Sequence, residues 1–149
     1  MPLPELENLV RTGLLKSEPP DQQEFDGLVH SGQNRLTDAD NKTLSFESRF
    51  DLAYNAAHAL SLAAMRWHGY RPDKQRFVVF QSLVHTLQLA PETARILDKA
   101  HSRRNLAEYE GYFDPDMQLL DELLAATKIV RTEVGKLGPV AKSQKPARE

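Results

Sequence analysis

The chain has 149 residues, a formal net charge of −2 and no cysteine. This length fits one domain with a single core. The lack of cysteine excludes disulfides, thiolate metal sites and a cysteine nucleophile, and it fits a reducing compartment. The weak negative charge excludes a protein that coats nucleic acid through bulk charge. Because the chain shows neither a signal-peptide pattern at its start nor a bilayer-length apolar segment, we expect a soluble, cytoplasmic protein.

The first third of the sequence predicts two helices. Pro4 suits the first turn of a short helix that Gly13 can end. Pro19 and Pro20 then break the chain, and Asp21 suits the N-cap of a second helix. That second helix carries apolar residues at steps of three and four up to Ala39, a spacing that places them on one face.

The third predicted helix has the strongest periodicity. Ser45 is its expected N-cap, and a continuous apolar stripe runs from Phe46 to Trp67. A second, alanine-rich stripe lies beside the first, so the helix is apolar over more than half of its circumference. We therefore expect it to be the central, buried helix of the fold. Gly69 to Pro72 should end it.

The remaining chain predicts three further helices and a tail. Residues 75–89 read as one helix, although the apolar run at 77–80 also suits a strand. Pro91 should begin the next helix, and Asp114 and Pro115 the last. Residues 138–149 are rich in Lys, Pro, Ser and Gln and predict a disordered tail. The sequence thus predicts one all-α domain over residues 1–137, an antiparallel bundle of about five to six helices without strands.

One predicted helix, Lys99 to Phe113, gathers most of the groups that can act on a phosphate or a proton. His101, Asn105 and Tyr109 follow one another at four-residue steps and share a stripe. Arg104 lies one turn from His101 and one turn from Glu108. The pattern also suits a solvated helix face with stabilising Arg–Glu pairs, so both interpretations stay open.

Two stretches resemble a known family. They are the alanine-rich helix S-F-E-S-R-F-D-L-A-Y-N-A-A-H-A-L-S-L-A-A-M-R-W-H-G-Y-R-P and the later segment R-R-N-L-A-E-Y. With the apolar helix between them, they resemble the HEPN superfamily over residues 45–134. The resemblance implies a small helical bundle that often dimerises and that occurs in prokaryotic toxins and defence ribonucleases. Its implied partners are a second copy, RNA and a cognate partner protein.

Family members that cut RNA are similar in carrying an arginine, usually a polar residue, three further residues and a histidine. Arg104 and Asn105 match the first two places, and Tyr109 stands in the place of the histidine. A phenol with a pKa of about 10 is a poorer general base at neutral pH than an imidazole with a pKa near 6.5. We therefore expect this site to bind RNA better than it cuts it. His101 is the nearby imidazole that can replace the missing base, especially across a dimer.

The candidate residues also have structural interpretations. Arg104 can form an ion pair with Glu108, and Asn105 can hydrogen-bond a neighbouring helix. His101 can be a satisfied histidine beside an apolar face. His58, in the middle of the central helix, is expected to be buried and hydrogen-bonded. Its distance from His68, ten residues along one helix, is too great for a shared metal, and we predict neither metal nor cofactor.

Two functions from different classes follow. The first is a HEPN-like domain of a prokaryotic toxin–antitoxin or defence-type system that contacts RNA with weak or absent ribonuclease activity. The second is a non-catalytic module for protein–protein interaction or dimerisation. A basic groove at the Arg104 helix would favour the first function, and an exposed apolar face would favour the second.

Overall fold

The computed structural model describes residues 3–141 and shows a helical bundle with one small sheet. The helices are α1 Pro4–Arg11, α2 Gln22–Ala39, α3 Phe46–Trp67, α4 Phe77–Gln81, α5 Leu83–Thr86, α6 Pro91–Glu110 and α7 Met117–Gly135. The strands are β1 Leu15–Ser17 and β2 Tyr70–Pro72. The prediction of an all-α bundle is confirmed. Within residues 3–141, no helix combines the length and the apolar character that a bilayer crossing requires.

Helix α3 is the central helix, as its two apolar stripes predicted. Ser45 caps it by accepting a hydrogen bond from the backbone N–H of Ser48 at 3.1 Å. Phe50 and Leu60 are fully buried, and the alanines between them let the neighbouring helices approach closely. The apolar pattern of α3 therefore determines where the main core lies.

Helices α2 and α3 form an antiparallel hairpin joined by the turn at residues 40–45. The carbonyl of Ala39, at the end of α2, accepts a hydrogen bond from Nε of Arg49, near the start of α3. Further along the pair, Gly32 lies against Leu60, where an added Cβ would come within 2.5 Å of the leucine Cγ. Only a glycine at this position of α2 allows so close a contact without movement of Leu60.

Helices α6 and α7 complete a four-helix bundle. Tyr54 of α3 reaches His101 of α6, and the earlier Asp51 reaches the later Arg104, so α6 runs antiparallel to α3. Helix α7 runs antiparallel to α2, because Lys128 contacts Asp40 at one end of the pair and Gln22 accepts a hydrogen bond from the backbone of residue 140 at the other. The four helices therefore alternate in direction around the core.

The prediction that the chain has no strand is wrong. β1 and β2 pair antiparallel, with Lys16 opposite Arg71. Each strand has three residues, too short for an alternating pattern to show in the sequence. The sheet and α1 cover one end of α3 and enclose a second, smaller cluster of buried side chains, which comprises Leu6, Leu15, Met65, Tyr70, Val78 and Val79.

Two predicted helix boundaries also need correction. The helix expected over residues 75–89 is broken at Ser82 into α4 and α5. The break has a packing reason, since Val78 and Val79 contribute to the smaller core whereas Phe80 and Leu83 contribute to the main one. The last helix begins at residue 117, and its N-cap is Asp116, which accepts a hydrogen bond from the N–H of residue 119 at 3.0 Å.

The predicted tail lies only partly within the described residues. Residues 138–141 contact the bundle: the carbonyl of Gly138 accepts a hydrogen bond from Nε1 of Trp67 at 3.1 Å, and Val140 packs against the main core. Residues 142–149 of the predicted tail lie outside the described residues.

Candidate functional site

The two halves of α6 differ in burial. Ala94, Leu97 and Ala100 of the first half are buried against the core, whereas no residue between 101 and 110 is fully buried. The second half thus lies at the edge of the bundle with much of its circumference open to solvent. All four sequence-predicted site residues lie on this half.

Arg104 is held by three groups. Its Nε lies 3.1 Å from Oδ1 of Asp51, and one terminal nitrogen lies 3.1 Å from Oε1 of Glu108. Its guanidinium carbon lies 4.8 Å from the ring centroid of Tyr54, a cation–π distance. The ion pair with Glu108, one of the two interpretations from the sequence, is confirmed. The sequence interpretation missed Asp51 and Tyr54, both of which come from α3.

A cleft of about 470 Å³ opens beside Arg104, between the start of α3 and the end of α6. Three carboxylates line it, those of Glu47, Asp51 and Glu108, and the aromatic rings of Tyr112 and Phe113 form its far side. Three carboxylates around one guanidinium give the cleft a net negative charge. The surroundings of Arg104 therefore oppose the binding of a phosphate, which also carries negative charge.

His101 lies in a hydrogen-bonded chain. Its Nδ1 is 2.7 Å from the hydroxyl of Tyr54, which is buried, and its Nε2 is 3.1 Å from the side-chain amide of Asn105, which is exposed. Burial lowers the pKa of His101, and the positive charges of Arg76 and Arg104 lower it further against the opposing effect of Asp98. The imidazole is therefore neutral at pH 7 and is oriented by Tyr54.

Tyr109 does not join this chain. Its side chain is 90% exposed. It lies eight residues beyond His101, a rise of about 12 Å along the helix. The structure thus brings His101, Asn105 and Arg104 together and leaves Tyr109 apart. His101, Asn105 and Tyr109 do follow one another along α6, as the sequence predicted. The stripe is too long, however, for Tyr109 to share a site with His101.

His58 departs from its predicted environment. Its Nε2 is buried and has no hydrogen-bond partner among the described residues, so the prediction of a hydrogen-bonded histidine is wrong for this nitrogen. Burial lowers the pKa of His58 to about 4, with further contributions from Arg76 and His101. His68 instead meets the carbonyl of Thr86, at 2.8 Å. In the part of the chain that the structure describes, no three His, Cys, Asp or Glu side chains are grouped to hold a metal ion.

Large apolar side chains are exposed along the same helix half and just after it. Leu106 is 48% exposed, and Tyr112, just after α6, is 60% exposed. With Tyr109 they form what we call the outer face of α6, defined as Leu106, Tyr109 and Tyr112. Clustered large apolar residues on a surface are typical of an interaction site rather than of free solvent-facing helix.

Comparisons of the chain with protein-family models, with curated proteins and with solved structures gave no match.

Proposed function

We propose that this chain is a non-catalytic, HEPN-like interaction domain that forms a homodimer through the outer face of α6. The observation that carries the proposal is the exposure of Leu106, Tyr109 and Tyr112 on a helix half that lacks any fully buried residue. Tyrosine is enriched at protein interfaces, and burial of these three side chains by a partner would remove a large apolar area from water. A second copy supplies such a surface, as the resemblance to HEPN domains implies.

The charges near Arg104 support a non-catalytic function. An arginine that clamps a phosphate needs free donors, but this guanidinium already meets Asp51 and Glu108 in a cleft with net negative charge. Tyr109, which takes the place of the family's histidine, lies in solvent away from His101. The arginine is thus occupied by carboxylates, and the residue in the histidine position lies in solvent.

The wider biological setting of the proposal comes from the resemblance alone. Arg104, Asn105 and the alanine-rich α3 are the features that resemble HEPN domains. They support a place in a prokaryotic toxin–antitoxin or defence-type system. In that setting the outer face would bind a second copy, and the dimer would then present its remaining surfaces to a cognate protein.

Analytical ultracentrifugation of two matched variants tests the homodimer. Leu106 on α6 and Ile129 on α7 are exposed to 48% and 45%, so both positions accept a charge at similar cost to the fold. The parent and Ile129→Glu should sediment with about twice the chain mass at micromolar concentration, and Leu106→Glu should sediment as a monomer. A monomeric parent at every concentration, or a dimeric Leu106→Glu protein, would overturn the proposal.

A second function is favoured by the Tyr54–His101–Asn105 chain, which holds a neutral imidazole one turn from Arg104. These groups suit a general base and a charge-stabilising arginine for RNA cleavage. A matched control exists, because His30 makes the same 3.1 Å contact with Asn34 on α2. If purified parent cleaves single-stranded RNA, and His101→Gln and Arg104→Ala lose the activity while His30→Gln keeps it, the ribonuclease function replaces the non-catalytic one.

A further inference from the structure

A hollow of about 420 Å³ lies between the last turns of α6 and the loop that follows it. Four of its lining residues are Arg103, Leu106, Ala107 and Glu110. Their spacing of three, four and seven residues from Arg103 is that of the four-residue hole that receives a knob when two helices pack. Ala107, at one corner of this square, has a small side chain that keeps the hollow open. Tyr112, Phe113 and Asp114 of the loop after α6 form the remaining wall, so the hole lies between α6 and that loop.

A knob of matching character stands beside the hole. Tyr109 is about 60° around the helix from Leu106, one of the four hole residues. At 90% exposure its ring contributes almost no packing to the monomer. A large aromatic side chain held this far into water costs free energy unless a partner buries it.

The chemistry of the hole suits a phenol. Arg103 is held in place by Asp116 at 3.3 Å and by the carbonyl of residue 114 at 3.4 Å, so its guanidinium has a fixed position next to the hole. A guanidinium can lie over an aromatic ring or donate to a phenol oxygen. The carboxylate of Glu110, on the opposite side, can accept the phenol proton. Apolar Leu106 and Ala107 provide the surface on which the ring lies.

We propose that the hole formed by Arg103, Leu106, Ala107 and Glu110 receives Tyr109 of a second copy of this chain. A two-fold interface requires each copy to present both members of every contact on the same patch. Tyr109 and the hole meet this requirement, because they lie on adjacent faces of the same two helical turns. This inference rests on the proposed homodimer and names the side chain that holds it together.

Two variants of opposite kind test the inference. Tyr109→Ala removes the knob and leaves the hole, and Ala107→Phe fills the hole and leaves the knob. Each protein alone should dimerise at least tenfold more weakly than the parent, because central aromatic anchors contribute most of the affinity of such interfaces. Since the parent ring is almost fully exposed in the single chain, Tyr109→Ala should melt at the temperature of the parent at concentrations where both proteins are monomeric.

The decisive measurement is the mixture. A Tyr109→Ala copy with a free hole and an Ala107→Phe copy with a free knob restore one of the two contacts. Titration of dye-labelled Tyr109→Ala with Ala107→Phe, followed by fluorescence anisotropy, should give tighter association than either variant shows with itself. Equal or weaker association in the mixture would overturn the inference. If Ala107→Phe does not fold, Ala107→Met takes its place.

The two proposals fail in different ways. A dimeric parent that Leu106→Glu dissociates and Tyr109→Ala leaves unchanged would keep the homodimer and overturn the knob. A parent that is monomeric throughout would overturn both proposals.

Discussion

Arg66 and Arg104 each contact two carboxylates, yet they lie in opposite environments. Arg66 is 1% exposed, and its Nε meets Oε1 of Glu24 at 2.8 Å. Its other donors meet three backbone carbonyls, those of Glu18, Pro19 and Tyr70, at 2.8–3.2 Å. Burial by itself would raise the pKa of Glu24, but hydrogen bonds from Arg66 and Arg71 outweigh it and lower that pKa. Arg66 thus joins α3 to α2, to the segment between β1 and α2, and to the start of β2.

Arg104 uses its donors differently. Its side chain is 25% exposed, and both carboxylate partners lie largely in solvent. It contacts no backbone carbonyl among the described residues, and a cleft opens beside it. The difference shows that the number of ion pairs does not decide the role of an arginine. Burial and the use of backbone acceptors identify a structural arginine, whereas ion pairs with exposed carboxylates contribute little to the fold.

The largest expected effect is on stability. Arg66→Met should lower the free energy of unfolding by about 3–5 kcal/mol, because it leaves three carbonyls without their donor and removes one of the two arginines that pair with Glu24. Arg104→Met should lower it by less than about 1 kcal/mol, since its partners stay hydrated. Urea denaturation of both variants followed by circular dichroism measures the difference. Equal losses would show that the two arginines are equivalent in the fold.

The next largest expected effect is on the pH dependence of stability. His58 and Glu24 should change the free energy of unfolding over different pH ranges. The folded pKa of His58, about 4, is below its unfolded value of 6.5, so the unfolded chain takes up the proton first. Stability should therefore fall as pH decreases from 6.5 towards 4. Glu24 has a lowered folded pKa, so its stabilising effect is present above 4.5 and is lost only as pH falls further.

Urea denaturation measures both pH ranges. Its midpoints should be compared across them for the parent, His58→Leu and Glu24→Gln. His58→Leu should flatten the decline between pH 6.5 and 4, leaving the smaller slope of His68 and His101, whose pKa values burial also lowers. Glu24→Gln should lower the midpoint at every pH above 4.5, and it should flatten only the acid end of the curve. A slope that His58→Leu leaves intact would assign the decline to another group.

The parts of the fold that the sequence predicted depend on local signals. Asp21, Ser45 and Pro91 begin helices through residues within one turn of themselves, and the stripes of α3 repeat within a single helix. The β1–β2 pair and the break at Ser82 depend on contacts between distant segments. Neither leaves a periodic pattern in a window of a few residues, so the sequence alone did not show them.

The contacts of the candidate site show the same difference between local and long-range signals. The Arg104–Glu108 pair is an i, i+4 contact and was predicted. The Tyr54–His101 bond joins residues 47 positions apart, and the Asp51–Arg104 bond joins residues 53 apart. The pairing of Arg66 with Glu24, 42 positions away, also left no pattern in the sequence. A single arginine in an apolar helix looks like an ordinary surface residue. Pairings of this range follow from tertiary packing, which one sequence does not encode in its local spacing.

The smallest expected effect concerns RNA, and it tests whether carboxylates keep Arg104 from binding phosphate. The triple variant Glu47→Gln, Asp51→Asn, Glu108→Gln removes the negative charge of the cleft while keeping side-chain size. Each exposed charge interaction is worth about 0.2–1 kcal/mol, so affinity for single-stranded RNA should rise roughly tenfold at low salt.

The measurement is fluorescence anisotropy of a labelled oligonucleotide. The triple variant Asp38→Asn, Asp121→Asn, Glu122→Gln is the matched control, because it removes the same charge at three carboxylates outside the cleft beside Arg104. Adding Arg104→Ala to the triple variant should abolish the gain. If the gain survives that addition, or if the control gains as much, the increase reflects net charge and Arg104 has no specific role in phosphate binding.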